Sequence, residues 1–362
     1  MITDYAKLLV DYCLEMKKGE QLLVQSSTLA IPLVKEVYRL ALRRGAMVVT
    51  ELEWSDKINI FYEEAEGDQL SWESPLLATT FKHFDAYLHI RAPYNIRGGQ
   101  EIDTQKRKTR AKAMQGLQEV YNSRTADRSL RRCLCQYPTH AAAQEAGMSL
   151  PTYERFVYNA CHLFDENPQD SWLTVRAEQQ RLIDFLNGVK QMRFVGKQTD
   201  LSFSVADRTW INSDGRTNMP SGEVFTAPVE DSVEGKIYFS YPSVYRGHPV
   251  QDIHLTIEEG EVKSWSAEQG AALLDDIFDI EGARRFGEVA IGTNYHIRRA
   301  TKNILFDEKI GGTIHMAIGQ TYRQTGGTNR STIHWDMIKD MEQEGQIWAD
   351  EKLIYECGKF LI

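Results

Sequence analysis

The hydrophobic pattern of this 362-residue chain changes near residue 190. Before that point, short apolar strands alternate with helices whose apolar residues recur every three or four positions. Residues 21–25 predict a strand, a helix opens at Pro32 and ends at Gly45, and residues 46–50 predict the next strand. This order predicts a βαβ unit with a parallel strand pair. The first half therefore indicates an α/β domain with a partly parallel sheet.

Beyond residue 190, short segments alternate polar and apolar residues with a period of two, which is typical of half-exposed strands. Asp252, His254 and Thr256, for example, alternate with Ile253 and Leu255. Helices are expected over residues 267–278 and from about Trp335. We therefore expect a chain of the α/β (α+β) class, with an N-terminal α/β domain over residues 1–187 and a β-rich C-terminal domain over residues 188–362.

Charge and hydropathy limit the partners of the chain. Lys and Arg number 42 against 51 Asp and Glu, a net charge of -9, so a nucleic-acid partner is disfavoured. No apolar run approaches the roughly 18 residues of a membrane helix, and the N-terminus lacks the pattern of a signal peptide. Residues 106–112 form a basic run on a predicted helix, either a solvated face or a patch for an anionic ligand.

Cysteine and glycine patterns exclude two further kinds of site. The five cysteines are scattered without CxxC spacing, which favours reduced thiols in a reducing cytoplasm over a cysteine metal site. No glycine-rich phosphate loop of the GxGxxG or Walker type follows a predicted strand. The sequence therefore gives no support to a nucleotide-binding first domain.

Metal-type ligands concentrate in four short segments of the second half, each beside glycine, proline or apolar residues. The segments are residues 218–225, 286–292, 305–315 and 331–336. Glu223 and Glu288 each follow a glycine and are flanked by hydrophobic residues, and a glutamate is rarely buried unless it is paired or bound to a cation. With His315, His334 and Asp336 they form an oxygen and nitrogen ligand set that suits Zn, Mn or Co. Two divalent ions in such a site can activate water at neutral pH.

Each of these residues also has an ordinary structural interpretation. Glu223 or Glu288 could be a strand-end acid paired with an arginine, and His315 could be a core histidine. His334 and Asp336 could hydrogen-bond each other at a helix start. Because the ligands are spread over more than a hundred residues, their spacing alone leaves both interpretations open.

The four segments, in this order, resemble the aminopeptidase T and aminopeptidase S family of thermophilic metallo-aminopeptidases. The words that carry the resemblance are NMPSGEVFTAP at 218–228, FGEVAIG at 286–292, ILFDEKIGGTIHMAIG at 304–319 and STIHWDM at 331–337. Residues 5–24 and 146–161 resemble family segments too, so the resemblance spans nearly the whole chain. It implies a homodimeric, cytoplasmic enzyme with two divalent metal ions per chain, Zn, Co or Mn.

The resemblance also implies roles for particular residues. The metal ligands carried over are Glu223, Glu288, Glu308, His315, His334 and Asp336, with Glu288 bridging the two ions. Glu308 lies seven residues before His315, whereas many relatives have five, and two glycines occupy the longer loop. A family tyrosine seven residues after that histidine corresponds to Tyr322.

The implied activity is hydrolysis of the N-terminal peptide bond of peptides with a free N-terminus, through a dinuclear metal-bound hydroxide. Tyr322 would donate a hydrogen bond to the developing oxyanion, unless it is only a packed or surface tyrosine. Glu288 or Glu223 would move a proton from water to the leaving amine.

Three other interpretations remain. A dinuclear phosphoesterase would use similar ligands and would want cationic side chains for the phosphate, for which Arg323 and Arg330 are candidates. A non-catalytic, peptide-binding relative would keep the ligands without the hydrolysis. A metal pair at His248 and His254 is disfavoured, because His254 fits an exposed strand position.

Overall fold

The computed structural model describes residues 1–245 and 247–362. The strands are β1 (Gln21–Ser27), β2 (Met47–Glu53), β3 (Ala86–Arg91), β4 (Arg131–Gln136), β5 (Gln191–Gly196), β6 (Thr199–Ser204), β7 (Ile211–Ser213), β8 (Asn218–Met219), β9 (Glu223–Thr226), β10 (Glu234–Phe239), β11 (Ser243–Tyr245), β12 (His248–Val250), β13 (Ile253–Glu258), β14 (Glu261–Ser266), β15 (Phe286–Gly292), β16 (Thr313–Gly319), β17 (His334–Asp340), β18 (Gln346–Ala349), β19 (Lys352–Glu356) and β20 (Lys359–Phe360). The α-helices are α1 (Ile2–Lys7), α2 (Ile31–Arg43), α3 (Lys57–Glu64), α4 (Asp68–Ser71), α5 (Pro75–His83), α6 (Thr104–Ala126), α7 (His140–Glu145), α8 (Leu150–Ala160), α9 (Pro168–Leu186), α10 (Ala271–Phe278) and α11 (Ile304–Asp307).

One compact unit comprises residues 1–169 and 215–220. Its five-stranded sheet has the order β2-β1-β3-β4-β8, and every strand pair in it is parallel. Helix α2 links the parallel strands β1 and β2, has a proline in its first turn, and buries Leu33, Val34, Val37 and Ala41. Gly45, with a φ of +80°, follows the helix in the left-handed conformation that glycine adopts without strain. The α/β pattern with a partly parallel sheet is confirmed.

The second compact unit comprises residues 170–214 and 221–362. It contains an eight-stranded sheet of order β14-β13-β10-β6-β5-β18-β19-β20 and a five-stranded sheet of order β17-β16-β15-β9-β7. Both sheets are antiparallel. One hydrophobic cluster contains buried residues of both, among them Phe194, Phe239, Ile291 and Met316. Each sheet therefore contributes one face to a shared core, as expected of a β-rich layered domain.

The expected domain boundary and the compact units divide the chain differently. The sequence places the boundary at residues 187/188, after the long amphipathic helix, whereas contacts group most of α9 with the second unit and the short β8 with the first. The division into domains 1–187 and 188–362 stays a prediction.

The prediction of a helix that starts near Trp335 is wrong, because this segment is strand β17. His334 and Asp336 share one face of the strand, while Trp335 and Met337 lie in the hydrophobic core on the other. The segment therefore has the period of two that strands require. Its pairing with β16 along seven positions provides hydrogen-bond partners for the backbone N–H and C=O groups, which a helix would have paired internally.

Within the described ranges, no helix combines the length and the apolar character that crossing a membrane would require.

Candidate metal centre

Four strands of the five-stranded antiparallel sheet in the second unit carry five of the six predicted ligands on one face. The pairing places Glu288 on β15 opposite Ala317 of β16, and Ala317 opposite Asp336 of β17. His315 lies two residues from Ala317, and His334 two residues from Asp336, so both share that face.

Glu223 joins this face from β9. Phe225 pairs with Ala290, which itself pairs with His315, and Glu223 lies two positions from Phe225. The face is therefore lined by acids and histidines around two alanines, Ala290 and Ala317, whose small side chains leave room between the ligands. The opposite face of the same strands packs into the core.

Glu308 reaches the same place from the loop after α11. The loop folds back through paired backbone contacts: Asn294 donates its N–H to the Lys309 carbonyl at 3.0 Å, and the Gly311 N–H donates to the Asn294 carbonyl at 2.9 Å. A Cβ on Gly311 would lie 2.6 Å from the Tyr295 ring, so the close approach requires glycine. Glu308 offers an oxygen that lies within 4.8 Å of ligand atoms of His315 and Asp336.

We call Glu223, Glu288, Glu308, His315, His334 and Asp336 the site cluster. The structure thus brings all six predicted ligands together, in overlapping groups whose ligand atoms lie within 4.8 Å of one another: Glu223, Glu288 and His315; Glu288, His334 and Asp336; and Glu308, His315 and Asp336. Their role as metal ligands stays a prediction.

Glu288 stands between the two histidines of the site cluster. Its Oε1 lies 3.3 Å from His315 Nε2, and its Oε2 lies 3.4 Å from His334 Nε2. His315 Nε2 is also 3.3 Å from Glu223 Oε2, and His334 Nε2 is 3.6 Å from Asp336 Oδ1. One carboxylate therefore connects a Glu223 and His315 pair to a His334 and Asp336 pair.

The proton affinities follow from this arrangement. Burial by itself would raise the pKa of Glu288, but the neighbouring His315 and His334 hold it below its usual value. Burial likewise opposes a charged His334, yet Asp336 and Glu288 raise the pKa of His334 well above its ordinary value. The pKa of His315 is raised by Glu288 and Glu223 against the effect of its burial. In the metal-free protein, protons on the histidines thus compensate the carboxylates, and a cation would replace them.

Hydrogen bonds to the backbone orient His334 and hold the start of β9, where Glu223 lies. His334 Nδ1 lies 2.6 Å from the Gln320 carbonyl oxygen and must donate to it, which leaves Nε2 for the cluster. Gln179 Nε2 donates to the Glu223 carbonyl at 2.9 Å and holds the start of β9.

Several buried atoms of the cluster lack a hydrogen-bond partner in the described part of the chain: Glu223 Oε2, Glu288 Oε2, His315 Nδ1 and Asp336 Oδ1. The three carboxylate oxygens have only ion-pair contacts of 3.3, 3.4 and 3.6 Å to histidine nitrogens. Buried polar atoms are normally satisfied, so unsatisfied oxygens that converge with imidazoles fit a divalent cation.

Lys309 is a member of this site that the sequence analysis missed. Its side chain is fully buried, with Nζ 3.1 Å from Glu223 Oε1 and in close contact with Glu308 Oε1. The sequence signal was a lysine next to an acid in an otherwise apolar and glycine-rich loop, since a lysine is almost never fully buried unless it is paired.

Tyr322 lies beside the site cluster and is half exposed. Its ring centroid is 5.1 Å from that of His334 and 5.7 Å from that of Phe225. The two arginines considered for a phosphate, Arg323 and Arg330, are exposed. In the described residues, the ion pairs to cluster carboxylates come from lysine and histidine alone.

The remaining candidates have other environments. His254 is stacked on Tyr238 with ring centroids 4.5 Å apart, and His248 is exposed, so neither belongs to a metal-type group found in the described ranges. In the basic run on α6, Lys106 donates to the carbonyls of Tyr62 and Glu63, at 2.7 and 3.1 Å. That lysine holds a neighbouring helix rather than facing solvent freely.

Comparison with known proteins supports the resemblance. The family model described as Thermophilic metalloprotease (M29) matches residues 1–360. Aminopeptidase 2 of Geobacillus stearothermophilus is 27% identical over 348 residues, covering 88% of this chain and 83% of that protein. Aminopeptidase T of Thermus thermophilus is 25% identical over 393 residues, covering 98% and 94%. Aminopeptidase AmpS of Bacillus subtilis is 26% identical over 399 residues, covering 97% and 95%.

Two solved structures share the fold. Wild-type AmpT from Thermus thermophilus aligns with a TM-score of 0.85 at 22% identity, covering 100% of this chain and 99% of that one. The 2,5-dihydroxypyridine dioxygenase from Pseudomonas putida KT2440 aligns with a TM-score of 0.59 at 12% identity, covering 99% and 96%. The mixed α/β fold is confirmed, and so is the family resemblance. The chain belongs to the thermophilic metalloprotease (M29) family.

Proposed function

We propose that this protein is a metal-dependent aminopeptidase that hydrolyses the N-terminal peptide bond of peptides through two divalent cations in the site cluster. The observation that carries the proposal is the convergence of three carboxylates and two imidazoles on one sheet face with a fourth carboxylate, that of Glu308, from a loop; several of the buried oxygens are unsatisfied. Membership of a metalloprotease family and the aminopeptidase names of its relatives give the reaction class.

The arrangement around Glu288 supports a count of two cations. Its two oxygens face different histidines, so Glu223, Glu288 and His315 would hold one ion, and Glu288, His334 and Asp336 would hold a second. Glu308 would complete this set beside His315 and Asp336. The ligands contain no sulfur, which suits Zn, Co or Mn.

A bound pair of divalent cations would activate water and polarise the scissile carbonyl. Around it, the side chains of this chain do the remaining work. Tyr322, beside His334, donates a hydrogen bond to the oxygen on which negative charge develops. A proton passes from water to the leaving amine by way of Glu288 or, as the alternative, Glu223. Most of the cluster is buried, which strengthens the electrostatic interactions within it.

The resemblance extends the proposal to a homodimer acting on peptides with a free N-terminus in the cytoplasm. A phosphoesterase is the weaker alternative. The positively charged side chains nearest the cluster carboxylates are those of the buried Lys309 and of histidines, while Arg323 and Arg330 are exposed.

The test is release of free amino acids from short peptides by chelated protein reloaded with Zn, Co or Mn. Glu288→Gln keeps the shape of the bridging side chain and removes its charge. Glu281→Gln makes the same change at an exposed position and serves as the matched control.

We expect release by the loaded wild type and Glu281→Gln, and loss of at least about a thousandfold in kcat/KM for Glu288→Gln, as for removal of a group that acts in the transition state. N-acetylated peptides should not be cleaved. Turnover of phosphomonoesters without peptides would contradict the proposal, and so would equal cleavage of acetylated peptides.

A further inference from the structure

Lys309 adds an ammonium group to the site cluster, whose predicted metal ligands are carboxylates and imidazoles. Its side chain has no solvent exposure, and an ammonium is costly to bury unless it is paired. The ammonium is paired with two carboxylates, those of Glu223 and Glu308.

The lysine pairs with two of the four cluster carboxylates, and its contact with Glu223 lies at the group formed by Glu223, Glu288 and His315. Nζ pairs with Glu223 Oε1 at 3.1 Å and with Glu308 Oε1, both outside the group formed by Glu288, His334 and Asp336. Within the described chain, the ion-pair partners of Asp336 and Glu288 are histidines instead. The two cation positions that Glu288 can bridge thus have different charged surroundings.

The charges of the cluster make this difference matter. Four carboxylates contribute four negative charges, and Lys309 cancels one of them at the Glu223 and Glu308 side. A cation that enters beside Glu223 must share its oxygens with the ammonium, whereas no lysine of the described chain is paired with His334 or Asp336. Even at an effective dielectric constant of about 20, the repulsion between two charges a few Å apart is large enough to change a binding constant by more than tenfold.

We propose that Lys309 makes the two metal positions unequal: the ion held by Glu223, Glu288 and His315 binds more weakly and exchanges more readily than the ion held by Glu288, His334 and Asp336. Lys309 is then a built-in counter-charge that stabilises the carboxylates of the weaker position when its ion is absent. The inference rests on the proposed dinuclear site.

The experiment is a titration of chelated protein with metal, measured by calorimetry. Metal analysis after dialysis against buffers of fixed free Zn or Mn gives a second readout. Lys309→Met keeps most of the side-chain volume and removes the charge. Lys339→Met is the matched control, because Lys339 is a second buried lysine of the same unit that pairs with the Lys197 carbonyl and not with the cluster.

We expect two separated binding steps in the wild type and in Lys339→Met. In Lys309→Met the weaker step should tighten by at least about tenfold, while the tighter step changes less. An unchanged or weakened second step in folded Lys309→Met would overturn the proposal, because the lysine would then support the ligands instead of opposing the ion.

A second measurement on conservative ligand variants keeps the proposal testable if Lys309→Met does not fold. Glu223→Gln should weaken only the weaker step of the wild-type titration, and Asp336→Asn should weaken the tighter step. The reverse assignment, or two equal steps in the wild type, would overturn the proposal. Peptide cleavage tests the proposed function separately. Two unequal binding steps without cleavage would contradict the aminopeptidase proposal and support the difference between the two metal positions.

Discussion

His334 Nδ1 lies 2.6 Å from the carbonyl oxygen of Gln320, so the imidazole donates its Nδ1 proton to the backbone and turns Nε2 towards Glu288 and Asp336. A backbone acceptor of this kind fixes both the tautomer and the orientation of a metal-binding histidine. The contact explains why a residue at the first position of β17 can act as a defined ligand.

His334→Gln should therefore lower metal affinity more than fold stability. We expect at least a tenfold weaker binding of one of two Zn ions, by calorimetry, with the unfolding midpoint of the metal-free protein changed by only a few degrees. His254→Gln provides the control, since His254 is a half-buried histidine stacked on Tyr238 away from the cluster. Equal metal affinity in both variants would count against a ligand role for His334.

Ala317 tests which face of the sheet carries the site. It lies between Glu288 and Asp336 in the strand register, so Ala317→Leu would fill the space among the ligands. We expect loss of metal binding in dialysis and metal analysis, with a destabilisation of about 1–3 kcal/mol from overpacking. Met316→Leu, one residue away on the core face, should retain the metals and cost under about 1.5 kcal/mol. Metal retained by Ala317→Leu would contradict the assignment of this face.

Tyr322→Phe separates catalysis from metal binding. The hydroxyl is proposed to donate to the developing oxyanion, and its ring lies against His334 without being part of the ligand set. We expect kcat to fall by about a hundredfold, within the range seen for single oxyanion donors, with an unchanged metal content. A rate within twofold of the wild type would leave Tyr322 as a packing residue only.

Lys339 predicts a pH dependence of stability that is independent of the metals. It is buried on the core side of β17, and burial lowers its pKa from 10.5 to about 8. Between pH 8 and about 10.4 the unfolded chain binds more protons at this lysine than the folded chain, so its contribution to the free energy of unfolding rises with pH.

The check is urea denaturation of wild type and Lys339→Met from pH 7 to pH 10. The free energy of unfolding of the wild type, minus that of the variant, should increase above pH 8 by at most about 1.4 kcal/mol per pH unit. A difference that stays flat, or falls, across this interval would show that Lys339 has an ordinary pKa in the folded protein.

The sequence could predict the strand-and-helix order and the residue types of the site, because both follow local patterns. The periods of two and 3.6 distinguished the antiparallel second unit from the parallel sheet of the first. The exception was β17, which was expected to be a helix because the buried Trp335 and Met337 were not recognised as one face of a strand.

The register of the site could not be predicted, because it depends on pairing between distant segments. Glu223 and Glu288 meet through the pairing of β9 with β15, strands that are separated by about sixty residues of other structure. Lys309 was missed for the same reason, since its partner Glu223 is remote in sequence. The longer spacing before His315 is accommodated by the Gly311 approach to Tyr295, a contact that spacing alone does not reveal.

The most direct test of the account is cleavage of one peptide and its N-acetylated twin by the chelated protein, before and after reloading with two equivalents of Zn, Co or Mn. We predict no cleavage before reloading and stepwise release from the free N-terminus afterwards. Glu288→Gln should not cleave the peptide before or after reloading. Cleavage by the metal-free protein, or by fully loaded Glu288→Gln at the wild-type rate, would contradict the claim that the site cluster is a metal centre for aminopeptidase chemistry.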